Sequence, residues 1–143
     1  MTCIDAYVPI GIRSCVTHLT NGNDPFSASK RNQQLSAIEP LVNPYVNAFI
    51  GVFLGGDFNV TAWGDGGVLS KIYSSAFAGF GGFTEVENTR DSCDPVSSPC
   101  DWTKDQKKID CIFVDKYNWT SLSATTSTPL ISDHKILKGH AFH

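Results

Sequence analysis

The sequence predicts an α/β (α+β) domain, on three observations. Two apolar runs, Ala48 to Leu54 and Lys108 to Val114, are bounded by turn formers and read as buried strands. Two alternating segments, Ile4 to Val8 and Ile12 to Leu19, read as an antiparallel pair joined at Pro9 and Gly11. Between Leu19 and Ala48 the apolar residues keep helical spacing, so the middle of the chain is a strand–helix–strand unit. With 143 residues and 41% hydrophobic composition, residues 1–143 read as one domain or a large piece of one, with enough apolar mass for a core.

Along the second alternating segment, Ile12, Ser14, Val16 and His18 share one face, with His18 at the strand's end. Asn21 to Pro25 is a loop. Ser27 or Ser29 is the expected N-cap of a helix whose stripe runs through Leu35, Ile38, Leu41 and Val42. Pro40 removes a helical hydrogen bond, so a kink or break is expected there. The strand Ala48–Leu54 then climbs into Gly55-Gly56-Asp57-Phe58-Asn59. The glycines let the backbone bend or approach a neighbour closely. Alternation puts Asp57 and Asn59 on one face, where they suit a cation or a phosphate oxygen. Local pattern alone favours the plainer reading, an Asx-rich turn capping the strand.

Residues 63–67 read as a loop, Val68 to Phe80 as a second helix, and Thr84 to Val86 as a short strand. Glu87 to Lys107 is polar with two prolines, a long surface loop. Lys104, Lys107 and Lys108 beside Trp102 are candidate phosphate contacts or simply solvated cations. After the strand Lys108–Val114, further strands are expected over Tyr117–Ala124 and Lys135–Phe142, with loops at Thr125–Pro129 and around Ser132-Asp133-His134.

Five cysteines (Cys3, Cys15, Cys93, Cys100, Cys111) fit no zinc spacing. Cys3 and Cys15 lie on neighbouring strands and are a candidate disulfide; Cys93 and Cys100 flank a turn and are another; Cys111 reads as a buried thiol. Two disulfides point to a secreted protein in an oxidising compartment, although Met1 to Asp5 carries no signal-peptide pattern. No apolar run is long enough for a transmembrane helix. The net charge of -3 excludes a global basic field, so a nucleic-acid partner needs a local patch or a bound cation.

His18, Asp57 with Asn59, Asp110, and Asp133 with His134 each sit at an end of a predicted strand. Singly they read as caps and structural histidines. Together they can supply a metal ligand, a general base and oxyanion stabilisers. In order, Thr17-His18-Leu19, Arg31 and Gln34, Gly56-Asp57-Phe58-Asn59, Lys108-Ile109-Asp110-Cys111-Ile112-Phe113 and Ser132-Asp133-His134 resemble the endonuclease/exonuclease/phosphatase superfamily, the fold of DNase I. The match spans nearly the whole chain but only about the carboxyl-terminal half of that family's domain.

The resemblance implies a DNase I-like β-sandwich flanked by helices, here a partial one, and hydrolysis of a phosphoester, nuclease-like, with Mg²⁺ (or Mn²⁺ or Ca²⁺). It implies His134 as general base or acid held by Asp110, and His18 as a second imidazole. Asp133 and Asp57 would bind the cation, while Asn59 and Arg31 would contact the substrate. The family's principal glutamate ligand has no counterpart here, so an incomplete metal site is expected. An uncovered sheet face would then be closed by a partner chain or by homo-oligomer formation. The substrate class left open is DNA, RNA, a phospholipid or another phosphoester. The alternative is a catalytically inactive, self-assembling protein that re-uses the half-domain; a third reading, an unrelated α/β protein, is decided by sheet topology.

Overall fold

The computed structural model describes residues 1–8, 10–48, 50–61, 69–73, 82–87, 103–104 and 107–142. Seven strands and two helices appear among them: β1 (Thr2–Val8), β2 (Ile10–His18), α1 (Pro25–Asn47), β3 (Gly51–Asp57), α2 (Ser70–Tyr73), β4 (Phe83–Glu85), β5 (Asp110–Asp115), β6 (Ser121–Ser127) and β7 (Ile136–Phe142). The first five strands in chain order form one sheet in the order β1-β2-β3-β5-β4; β6 and β7 form a separate hairpin. β1 and β2 pair antiparallel and put Cys3 opposite Cys15, which are joined as a disulfide. β2 and β3 pair parallel, as the long crossover through α1 requires.

The two faces of the large sheet bury different cores. One carries Cys15, Val52, Leu54, Cys111, Phe113 and Phe83 and packs against Leu35, Ile38, Val42 and Val46 of α1 and Leu69 and Ile72 beside α2. The other carries Phe53, Ile112 and Val114, with Val86 just beyond β4, and packs against Trp119 and the inner residues Leu122, Ala124, Leu137 and Ala141 of the hairpin. This is the partial DNase I-like sandwich expected. The hairpin does not extend over β1 and β2, where Ile4 and Val16 are 69% and 58% exposed on the face that packs against the hairpin elsewhere.

Several boundaries differ from expectation, for physical reasons. Helix α1 is capped by Asp24, not by Ser27 or Ser29, with Pro25 at its first turn. It also runs unbroken through Pro40 and Pro44. Both prolines are exposed, whereas Leu35, Ile38, Val42 and Val46 are buried on the sheet, so packing on either side holds the helix together. Strand β3 begins at Gly51, because the helix occupies the chain to Asn47, and continues through the glycines to Asp57. Gly56 has φ +143°, and a Cβ there would lie 1.9 Å from the Thr17 carbonyl oxygen. Only glycine allows that approach of β3 to β2. Of the second expected helix, α2 covers Ser70–Tyr73 and residues 74–80 lie outside the described ones, as do Cys93, Cys100 and Trp102. Strand β6 runs to Ser127, through part of the expected loop.

Candidate active site

Strand register alone assembles most of the site. His18 is the register partner of Asp57 across β2–β3, and Asp57 is the partner of Asp110 across β3–β5. An imidazole and two carboxylates therefore stand in a row at one end of the sheet. The row is fixed on both sides, by Leu19 N–H donating to the Asp57 carbonyl (2.9 Å) and Phe58 N–H donating to the Ile109 carbonyl (2.8 Å). Phe58 itself is fully buried, in edge-to-face contact with Phe113.

His134 arrives from the loop between β6 and β7, so the hairpin completes the site. Its Nδ1 lies 2.8 Å from Asp110 Oδ2, and its Nε2 lies 3.9 Å from Asp57 Oδ2. A carboxylate only accepts, so Nδ1 carries a proton, and in the neutral imidazole Nε2 is left as an acceptor facing Asp57. His18 Nε2 approaches the same Asp57 oxygen at 3.6 Å and is largely exposed. An acceptor nitrogen facing a carboxylate oxygen calls for a proton donor or a cation between them. Asp57, Asp110 and His134 offer one donor atom each within 4.8 Å of one another, a set suited to a divalent cation.

Asn59 lies just past the end of β3, not on it. Its φ of +52° and its N–H bond to Asp57 Oδ1 (2.7 Å) make an Asx-type turn, and its side-chain amide donates to the Leu19 carbonyl at 2.9 Å. The turn and the site are the same feature: Asn59 orients one oxygen of Asp57 and leaves the other toward the two histidines. An open cleft of about 480 Å³ runs between the sheets from here, its wall including Val16, Asp57, Asp110, Ile112 and Lys135. A smaller pocket of about 150 Å³ is lined by Lys104, Ser132, His134 and Lys135.

Neither a protein-family profile nor a curated protein matches the sequence. Solved structures do. A truncated TDP2 from Caenorhabditis elegans superposes with a TM-score of 0.68 at 13% identity, over 99% of this chain and 59% of that one. An endonuclease/exonuclease/phosphatase from Bacteroides vulgatus gives 0.59 at 21% identity, over 92% and 49%. The catalytic domain of human Nocturnin, solved with bound sulfate, gives 0.57 at 20% identity, over 93% and 47%. The fold is that of the endonuclease/exonuclease/phosphatase superfamily. The chain spans about half the length of those structures. A chain of a different α/β fold is thus ruled out.

Within this endonuclease/exonuclease/phosphatase fold, two expected site residues stand elsewhere. Arg31, expected at the substrate, is 1% exposed, and its guanidinium donates to the carbonyls of Thr20 (2.6 Å) and Gly22 (2.8 Å). It shapes the loop after β2 and is closed off from a ligand. Asp133, expected on the cation, pairs with Lys104 at 2.8 Å and stays outside the Asp57–Asp110–His134 group. A hydrogen bond from the Lys104 ammonium holds its carboxyl below the usual range. Lys108 is no phosphate contact either: it is buried against Glu85 (2.6 Å) and Glu87. Burial works to lower its pKa, but the neighbouring Cys111 sulfur and the two carboxylates outweigh that and raise it. The Cys111 thiol is pushed well up by burial, so it is inert. Lys135, which lines both the cleft and the smaller pocket, was not singled out from sequence; its position next to His134 was the only signal.

Proposed function

We propose that this chain carries the proton-transfer and charge-binding part of a divalent-cation-dependent phosphoester hydrolase, nuclease-like in its chemistry. What supports this most is the row His18–Asp57–Asp110 with His134 held against Asp110. A phosphoester is anionic and resists hydroxide, so hydrolysis needs an activated water and compensation of the charge that builds on phosphorus. With Nδ1 engaged by Asp110, Nε2 of His134 is the group that accepts a proton from the attacking water. His18, exposed beside Asp57, would return a proton to the leaving oxygen. Asp57 and Asp110 would hold the cation, Mg²⁺ being the proposed ion, which neutralises phosphoryl charge when bound. Asn59 keeps Asp57 in position. Two carboxylates are a sparse ligand set, so the metal site is proposed to be incomplete in this chain.

The experiment is hydrolysis of supercoiled plasmid and of bis(p-nitrophenyl) phosphate with Mg²⁺, run beside EDTA and the His134→Ala variant. Cleavage abolished by both controls is expected. Folded protein that cleaves neither substrate overturns the activity of this chain.

One observation favours a second reading, the inactive assembly protein: the uncovered face of β1 and β2 with Ile4 and Val16. In that reading the face meets a partner chain or a second copy, and mass in solution by light scattering decides it. The Cys3–Cys15 disulfide supports a proposed oxidising, extracellular location.

A further inference from the structure

The β6–β7 hairpin has an outer face and a tip that neither core uses. On the outer face Ser121, Ser123, Thr125 and Ser127 of β6 are register partners of Phe142, His140, Lys138 and Ile136 of β7, and all of these are exposed. At the tip, beyond the Ser127–Ile136 pair, Leu130 is 102% and Ile131 99% exposed, and Ile136 at the tip's base is 57% exposed. Three large aliphatic side chains thus project from one end of one hairpin. A single exposed leucine means little, but a cluster of bare aliphatics at a loop tip marks an interaction site. Pro129 limits the freedom of the chain just before the pair.

The charges near the tip are ordered. Lys138 follows Ile136 on the same outer face, whereas the one acid of the loop, Asp133, is paired with Lys104. An apolar tip with a cation set back from it matches a bilayer surface: aliphatics enter the acyl boundary while the Lys138 ammonium meets anionic headgroups. A protein partner would need a shaped recess for these side chains, and nucleic acid gains nothing from bare aliphatics. We infer that the β6–β7 hairpin tip, Leu130, Ile131 and Ile136 backed by Lys138, docks this protein on an anionic lipid surface. His134 is three residues beyond Ile131 in the same loop, so docking brings the Asp57–Asp110–His134 group to headgroup level. The substrate class that follows, a phosphoester in a lipid headgroup, rests on the hydrolytic reading above; the docking does not.

The test is co-sedimentation with vesicles of phosphatidylcholine alone and with about one third phosphatidylserine, read without turnover, so failure of hydrolysis cannot imitate failure of docking. Wild type is expected to sediment with the anionic vesicles. L130S/I131S, whose side chains touch only solvent and which should keep the wild-type melting temperature, is expected to partition about tenfold less or worse. K138E is expected to lose the preference for phosphatidylserine. Wild type left in the supernatant with both vesicle types overturns the inference, as does L130S/I131S binding like wild type. So does loss, in L130S/I131S, of binding to duplex DNA when the wild type binds no vesicles.

Discussion

Asp110 and His134 meet across the gap between the large sheet and the hairpin, carboxylate oxygen to Nδ1 at 2.8 Å, although 24 residues separate them in sequence. The contact sets which nitrogen of His134 carries the proton and keeps Nε2 aimed at Asp57. Asp110→Asn presents either an amide oxygen or an amide N–H to Nδ1, and the second choice selects the wrong tautomer. Phosphodiester turnover should fall by about 10²–10⁴ in kcat with a smaller change in KM. Because the two residues act as one unit, D110N/H134A should be little worse than H134A. Full multiplicative loss in the double variant would show that they work separately.

Asp115 does for the hairpin what Asp110 does for the site. It is fully buried, and its oxygens accept from Val52 N–H (2.8 Å), Trp119 Nε1 (3.0 Å), the N–H groups of Tyr117 and Asn118, and the Asn118 amide. Trp119 in turn packs on Phe53 with ring centroids 4.6 Å apart. One carboxylate thus ties the end of β5 to β3 and aims the chain into β6. Asp115→Ala leaves at least two buried donors bare, at about 1–3 kcal/mol each, so urea unfolding should show a loss of about 2–6 kcal/mol. A loss under 1 kcal/mol would mean that water reaches Val52 N–H and Trp119 Nε1.

The contrast between Asp110 and Asp115 shows how much was legible in the sequence. Both are acids at opposite ends of one apolar strand. Asp110 stands out in the sequence because it belongs to an ordered set of short motifs, and the strands that carry His18, Asp57 and Asp110 follow from periodicity. Asp115 does not, because the donor that ties it to the sheet, Val52 N–H, is 63 residues away, while its other donors, from Tyr117, Asn118 and Trp119, read locally as a turn. Arg31 is the opposite case: a cation on a helix next to a site looks like a ligand group in sequence, and its burial against Thr20 and Gly22 comes only with folding. Pro40 misled for a related reason, since local propensity lost to the buried stripe on either side of it.

Lys108 anchors the start of β5 two residues before Asp110. Its ammonium lies between Glu85 and Glu87, and the Tyr73 hydroxyl donates to the other oxygen of Glu85 at 2.6 Å. Lys108→Met removes an ammonium from between two buried carboxylates and should cost about 3–5 kcal/mol in denaturant unfolding, with Glu87→Gln costing clearly less. The raised pKa fixes the pH window. A lysine raised on folding stabilises fully below its unfolded value, about 10.4, and the effect fades only as pH rises through the folded value. The K108M deficit should therefore be flat from pH 6 to about pH 9. A deficit that shrinks within that range would show that Lys108 is neutral in the folded protein.

Asp24 has the opposite sign. Its carboxylate accepts from the Ser27 hydroxyl (2.5 Å) and from the N–H groups of Phe26 (2.9 Å) and Ser27 (3.0 Å), and these bonds, the hydroxyl's first, lower its pKa. The cap fixes the start of α1 beside the 20–22 loop that Arg31 holds, and so sets how the chain leaves His18. A carboxylate lowered on folding stabilises fully above its unfolded value, about 3.9, and the effect disappears as pH falls through the folded value. Asp24→Ala should lower Tm by a few degrees at pH 7. Below about pH 4 the gap between variant and wild type should narrow as the wild-type carboxylate is protonated. A gap that stays constant down to pH 2 would mean that the cap acts through its shape and hydrogen bonds alone, with no part played by its charge at the positive end of the helix.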